Sequence, residues 1–124
     1  MLVFDTLDEL ESYEKIIPGF LSVIDVLDHS RPYDEGPGEY STGGKDGKKY
    51  IIDTFVSSSA GFTAPKTEGM VLEICLEGEE IISTDGSVFR MAPGRFLIYE
   101  GKMDVKRGVM YSTPQAFKAV RFFL

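Results

Sequence analysis

The sequence is nearly empty of the residues that usually announce a site. One cysteine, Cys75, one histidine, His29, and no tryptophan occur in 124 residues. A lone cysteine cannot close an internal disulfide. Within an apolar run it reads as an inert core thiol and weakly favours a reducing compartment. A lone histidine nearly excludes a His-based zinc centre, which draws on several His or Cys ligands. His29 falls at the end of an expected surface helix, where an imidazole can stabilise the helix C-terminus. Without tryptophan, and with no basic residues flanking an aromatic platform, nothing suggests the stacking of nucleobases. Cationic residues are in deficit, 13 Lys and Arg against 20 Asp and Glu, for a net charge of -7. That balance disfavours nucleic acid and anionic membrane as partners. No run approaches the ~20 apolar residues that span a bilayer. The opening Met1-Leu2-Val3-Phe4-Asp5 has no basic region and no long apolar stretch, so no secretory signal is expected, and a cytoplasmic location is. The glycine-rich stretches Gly36-Pro37-Gly38 and Gly43-Gly44 precede strands rather than helices, which rules against a phosphate cradle. There is no internal repeat, charge block or low-complexity tract, and no Ser-His arrangement suggests itself.

What the chain does have is 43% hydrophobic and 27% charged residues, the proportions of one globular domain over residues 1–124. Its least polar central run is Gly69-Met70-Val71-Leu72-Glu73-Ile74-Cys75-Leu76-Glu77-Gly78. A short apolar run bounded by glycines reads as a strand buried on both faces. Glu73 stands inside it. A carboxylate there must be paired, hydrogen-bonded or turned to a wet cavity, because burying a bare charge is very costly. An ion pair and a pocket-lining role are equally open at this point.

Around this strand the pattern is regular. Leu2 to Phe4 suit a short lead-in strand. Thr6 with Glu9 three residues on forms a capping box, so a helix is expected from Leu7, with Leu7, Leu10, Tyr13 and Ile17 on one face. Pro18 ends it and can open a second helix, in which Phe20, Leu21, Ile24 and Leu27 keep the 3.6-residue period to about Asp28-His29-Ser30. Asp46-Gly47 suits a hairpin turn between strands at Gly38 to Thr42 and Lys48 to Val56. Phe62 to Thr67 reads as loop or irregular edge, since Pro65 is unsuited to a central strand. Glu79 to Thr84 is expected as the hairpin partner of the central strand. The Asp85-Gly86 turn and strands at Ser87 to Met91, Arg95 to Tyr99, Met103 to Val109 and Phe117 to Leu124 follow. Short strands with turns every 8 to 12 residues are the pattern of a β-sandwich or barrel. The fold class is therefore mainly β, a jelly-roll barrel with two N-terminal helices packed outside.

Candidates for the inside wall of such a barrel are Glu73, Asp104, Lys66, Lys106, Tyr99, Tyr111 and Arg121. Each has an ordinary alternative: a solvated outer face for the Lys and Asp residues, core filling for the tyrosines, an ion pair for Arg121. A barrel filled by Phe62, Met70, Tyr99 and Met103 would leave no site at all.

Several blocks, in order, resemble the YhcH/YjgK/YiaL family of sialic-acid anomerase-type proteins and evolved β-galactosidase small subunits. They are Phe4-Asp5-Thr6-Leu7-Asp8-Glu9-Leu10-Glu11-Ser12-Tyr13, then Pro18-Gly19-Phe20, then Pro37-Gly38-Glu39-Tyr40. Leu76-Glu77-Gly78-Glu79-Glu80-Ile81 follows, then Met91-Ala92-Pro93-Gly94-Arg95-Phe96-Leu97-Ile98-Tyr99, and finally Lys118-Ala119-Val120-Arg121. The order persuades more than any one block. The resemblance implies a cupin-like double-stranded β-helix and a carbohydrate-related role. The family's metal site uses histidines with a carboxylate or amide, and here the chain departs from it. Ala64-Pro65-Lys66-Thr67 stands where the family has a histidine, Glu73 where it has a glutamine, and Asp104 where it has a second histidine. A His-bound metal cofactor is therefore not expected, although carboxylates leave room for a hard ion such as Mg²⁺ or Ca²⁺.

Two functions are consistent with these residues. One is a sugar anomerase or isomerase-like enzyme with Glu73, Asp104 and Lys66 as acid and base and with Tyr99, Lys106, Arg121 and Tyr111 holding the substrate. The other is a non-catalytic sugar-binding module, or a subunit that docks on a larger glycoside-processing enzyme. A homodimer is a further possibility.

Overall fold

The computed structural model describes residues 2–17, 19–44, 47–57, 62–108 and 115–124. Among the described residues ten strands form two sheets. They are β1 (Val3–Thr6), β2 (Gly38–Ser41), β3 (Lys49–Ser57), β4 (Phe62–Thr63), β5 (Met70–Glu77), β6 (Glu80–Thr84), β7 (Ser87–Met91), β8 (Arg95–Glu100), β9 (Val105–Gly108) and β10 (Gln115–Phe123). The larger sheet has the order β1-β8-β5-β10-β3-β2 and the smaller β4-β9-β6-β7. All pairings are antiparallel. A 3-10 helix (Leu7–Tyr13), helix α1 (Phe20–Asp28) and the single turn α2 (Arg31–Asp34) cover one face of the larger sheet.

The central strand β5 is buried on both faces, as its composition required. Leu72, Ile74 and Leu76 point to the helices and pack with Phe20, Val23, Val26, Phe96, Ile98, Val120 and Phe122. Each such side chain contributes about 1.5–3 kcal/mol by leaving water. Alternation along the strand sends Val71, Glu73 and Cys75 the other way, into a second cluster between the two sheets with Ile82, Met91, Leu97, Val105 and Ala119. That second layer is the barrel interior.

Three expectations need correction. The strand at Glu80 to Thr84 is not the hairpin partner of β5. The partners of β5 are β8 and β10, while β6 pairs with β7 and β9 in the other sheet. The chain crosses between sheets at Gly78, which has φ +81° and where a Cβ would collide with the Ala116 carbonyl oxygen. That close approach is why a glycine is needed there. The first helix is of the 3-10 type, and Thr6 makes no side-chain cap. Thr6 ends β1 opposite Arg95, and Asp5 organises the segment instead, accepting hydrogen bonds from the Thr6 backbone N–H at 2.7 Å and the Tyr13 hydroxyl at 2.6 Å. The one-turn helix α2 is a third helical element, beyond the two expected. It is tied to the sheet by Lys118, whose Nζ donates to the Tyr33 carbonyl at 3.2 Å.

Other local signals hold. Asp85 (φ 51°) and Gly86 (φ +73°) form the turn of the β6–β7 hairpin, the two positive φ values that an Asp-Gly pair permits. Gly47 likewise has φ +68°, while Asp46 and the helix-opening Pro18 lie outside the described residues. Cys75 is fully buried, with its thiol pushed up to about 12 by burial and by nearby Glu80. It donates to the Gly78 carbonyl at 3.2 Å and fits the inert core role. His29 sits at the exposed end of α1, its Nδ1 2.7 Å from the Asp25 carbonyl oxygen.

Candidate functional site

The polar centre of the barrel is a three-residue cluster that bridges the sheets. Arg107, on β9 of the smaller sheet, donates from Nη2 to Glu73 Oε2 on β5 of the larger sheet at 3.0 Å. The same nitrogen donates to Glu80 Oε1 on β6 at 2.6 Å, and Arg107 Nε donates to Glu80 Oε1 at 3.0 Å. Glu73 and Glu80 are each 1% exposed and Arg107 5%. The guanidinium lies on aromatic faces, with Cζ 4.8 Å from the Phe55 ring centre and 5.6 Å from that of Phe117. Phe55 and Phe117 themselves pack with centroids 4.9 Å apart. A planar delocalised cation suits such a site better than an ammonium would.

One cation facing two carboxyls leaves the interior acid-rich, and protonation responds. Burial raises Glu80 to about 7, with Arg107 opposing the shift and Glu73 adding to it. Burial also raises Glu73, against the pull of Arg107 and Arg121. Burial works against the charge of Arg107, but Glu73 and Glu80 more than offset it and keep the guanidinium protonated. Glu80 Oε2 is buried with no hydrogen-bond partner among the described residues, a position that a neutral carboxyl tolerates better than a carboxylate. Burial therefore favours the protonated form of both carboxyls of this cluster, Glu73 and Glu80.

Beside the cluster a cavity of about 310 Å³ opens, lined by Asp53, Thr54, Phe55, Pro65, Arg107 and Arg121. Arg121 on β10 donates from Nη2 to Asp53 Oδ2 on β3 at 2.8 Å. Its Nε is buried with no hydrogen-bond partner among the described residues. Glu73 and Glu80 stand behind Arg107 and do not line this cavity.

The sequence-derived candidates separate accordingly. Glu73 is interior, and of its two open readings the structure gives the ion pair. Asp104 and Lys66 are corrected to the surface: they form a salt bridge at 2.8 Å, with the Asp104 side chain 78% exposed, and Lys66 holds Asp104 below the usual carboxylate range. They do not meet Glu73, so the three proposed acid-base residues are not one constellation. Lys106 is exposed, because alternation on β9 turns Val105 and Arg107 inward and Lys106 out. Tyr99 is interior and packs in the barrel cluster, its hydroxyl raised by burial and by Glu73. Tyr111 lies outside the described residues. Of the residues suggested as barrel filling, Tyr99 and Met103 join the inner cluster, Met70 packs on the helix side, and the Phe62 side chain lies outside the described residues. Arg107, Glu80 and Asp53 are absent from the sequence-derived candidates. The alternation of β9 and β6 could have found Arg107 and Glu80, once those strands are placed in the second sheet.

The two-sheet architecture is cupin-like, and solved structures agree. The fold is similar to a cupin-2 domain protein from Shewanella frigidimarina (TM-score 0.51, 11% identity, covering 84% of this chain and 97% of that one). It is also similar to a protein of unknown function from Rhizobium leguminosarum (TM-score 0.51, 18% identity, 78% and 89%). A third neighbour is the hydroxypropylphosphonic acid epoxidase of S. wedmorenis (TM-score 0.53, 11% identity, 62% and 43%). The chain spans less than half the length of that epoxidase, which has also been solved in its iron(II) form with substrate. No protein-family model and no curated protein matches the sequence. At these identities the likeness shows the cupin-type fold.

Among the described residues no three His, Cys, Asp or Glu side chains gather as a ligand set. The two interior glutamates already hold a fixed guanidinium, whose positive charge occupies the space between them.

Proposed function

We propose that the chain binds a small hydroxylated ligand, a sugar or sugar acid, in the cavity beside Arg107, and holds it without turnover. The observation that carries this reading is the wall formed by Asp53 and Arg121 next to Phe55. A paired carboxylate and guanidinium offer adjacent acceptors and donors to vicinal hydroxyls, and an aromatic ring offers an apolar face to a sugar's C–H surface. The buried Arg121 Nε, which has no hydrogen-bond partner among the described residues, adds a donor. The cavity volume is at the low end of the roughly 300–1,000 Å³ typical of small-molecule sites. The resemblance of the sequence to the YhcH/YjgK/YiaL family supports a carbohydrate ligand. The sealing of Glu73 and Glu80 behind Arg107 supports binding over catalysis.

A second reading keeps one specific observation in its favour. Glu80 holds a proton up to about pH 7, which is where an acid serving anomerisation is needed. It requires Arg107 to move aside when substrate enters. One experiment separates the readings: two-dimensional NMR titration with neutral hexoses and sugar acids, combined with exchange spectroscopy on the anomeric protons. Saturable shifts at Thr54 and Phe55, with an unchanged anomer exchange rate, support the binding module. Asp53→Asn with Arg121→Lys should then weaken binding at least about tenfold, the range for lost charged hydrogen bonds. Accelerated exchange that Glu80→Gln abolishes establishes the enzyme instead. No saturable shift with any sugar ends both.

A further inference from the structure

The charge of this chain is unevenly placed. Residues 1–35 carry nine Asp and Glu against two Lys and Arg, whereas residues 36–124 carry eleven of each. Eight of these nine acids, all but Asp5 on β1, fall within residues 7–35, the segment that builds the helical layer. That layer covers the face of the larger sheet opposite the barrel interior. That segment, with eight Asp and Glu against two Lys and Arg, carries nearly all of the net charge of -7.

The same layer contains an open groove of about 220 Å³ between the 3-10 helix, α1 and α2. Leu7, Leu10, Ile24 and Leu27 line it, with Glu11, Asp28 and Tyr33 at its rim. Glu11 and Asp28 are exposed, and among the described residues neither carboxylate has a salt-bridge partner. Two further apolar side chains of this layer are exposed: Leu21, one turn before Ile24 and Asp25 on α1, at 67%, and Ile16 at 62%. Apolar floor, acidic edge and flanking exposed leucine together form a stripe that a soluble domain usually hides.

We propose that this groove docks a basic amphipathic helix of a partner protein. The apolar side chains of such a helix, spaced at i, i+3, i+4 and i+7, would enter between Leu10, Ile24 and Leu27. Its lysines or arginines would face Glu11 and Asp28. Charge complementarity fixes the choice of occupant. A second copy of this chain would bring an equally acidic layer against the first, and an anionic membrane or nucleic acid is repelled for the same reason. The inference does not depend on what the barrel binds, because the groove and the cavity lie on opposite faces of the larger sheet.

The test uses the full chain, labelled with ¹⁵N, and a synthetic helix of about 15 residues with leucine at i, i+3, i+4 and i+7 and lysine elsewhere. The expected result is saturable shifts at Leu7, Leu10, Ile24, Leu27 and Asp28, with the amides of Asp53 to Phe55 unmoved. A helix with glutamate in place of lysine should bind far more weakly. Glu11→Gln with Asp28→Asn should raise Kd about three- to tenfold, as expected for two exposed charge pairs, and Asp104→Asn should leave it unchanged. Raising NaCl to about 0.5 M should weaken the lysine helix. Equal binding of the two helices, shifts at the barrel cavity, or no saturable shift at millimolar peptide would each overturn the proposal. So would concentration-dependent dimerisation that moves the same groove resonances.

Discussion

The two faces of the larger sheet are built on opposite principles from the same strands. On the helix side β5 presents Leu72, Ile74 and Leu76, and β10 presents Val120 and Phe122, all closed by apolar helix residues. On the barrel side the same two strands present Glu73 and Arg121, and the facing sheet answers with Arg107 and Glu80. The first face is held by removal of apolar surface from water, which is indifferent to pH and to exact geometry. The second depends on one guanidinium that satisfies two buried carboxyls, where desolvation consumes most of the Coulombic gain. A domain that needed only stability would have made both faces apolar. The polar face is therefore where function is to be sought, and the apolar face is what allows that polar face to exist.

The contrast is broken most severely at Arg107. Arg107→Met removes the cation and leaves two buried carboxyls facing each other, and the expected loss is about 3–5 kcal/mol. The loss should be larger at pH 8 than at pH 5, because at the lower pH both glutamates can take up protons. Leu72→Ala on the other face should cost about 2–5 kcal/mol through the cavity it leaves, and that cost should be the same at both pH values. Urea unfolding of the two variants at pH 5 and pH 8 makes the comparison. Equal pH behaviour would mean that the Arg107 cluster is not electrostatically coupled.

A finer test uses Glu80. Its proton is held in the folded state up to about 7, against 4.5 for an ordinary glutamate. Folded chains thus bind more protons than unfolded ones between these values. By linkage, the stability gained from that proton falls as pH rises through this window and levels off above about 7, at a slope of at most about 1.4 kcal/mol per pH unit. Asp5 and Asp104, both lowered, work in the opposite sense at more acid pH, so the difference between variants is the informative quantity. Glu80→Gln fixes the neutral form and should gain on the wild-type chain steadily from pH 5 to pH 7. A difference that stays constant across that range would place the proton elsewhere.

How far the fold was readable from sequence follows from the same contrast. The helix-side face was legible, because apolar periodicity in residues 20–28 and in the central strand reports burial directly. Turn chemistry was legible at Asp85-Gly86, where the residue types demand the observed backbone. The site was only half legible. Glu73 stands out because a charge inside an apolar run is anomalous. Arg107, in Val105-Lys106-Arg107-Gly108, looks like an exposed basic stretch, since alternation does not say which of Lys106 and Arg107 turns inward. Glu80 follows a glycine turn that reads as a hairpin, and only the crossing at Gly78 into the second sheet carries it back over Glu73. That crossing rests on a long-range pairing that no local pattern encodes. Asp104 entered the candidates because it stands where the resembled family has a histidine, and the fold turns it to the surface beside Lys66 instead.

The smallest expected effect lies at that misplaced residue and sharpens the comparison from the other end. Lys66 and Asp104 form a salt bridge at 2.8 Å, about as close in distance as the pairs of the interior. Their surroundings differ in every respect that matters. Both side chains are mostly exposed, water screens their attraction, and two flexible side chains lose rotamer freedom to keep the contact. Asp104→Asn should leave the urea midpoint at pH 7 within the reproducibility of the measurement, and added salt should not separate the variant from the wild-type chain. It should also leave sugar binding at the Asp53–Arg121 wall untouched. A clear loss of stability or of binding in Asp104→Asn would mean that the surface pair reaches the barrel after all, and would restore Asp104 to the site. Ion pairs of nearly equal length would then differ less by burial than the contrast between interior and surface requires.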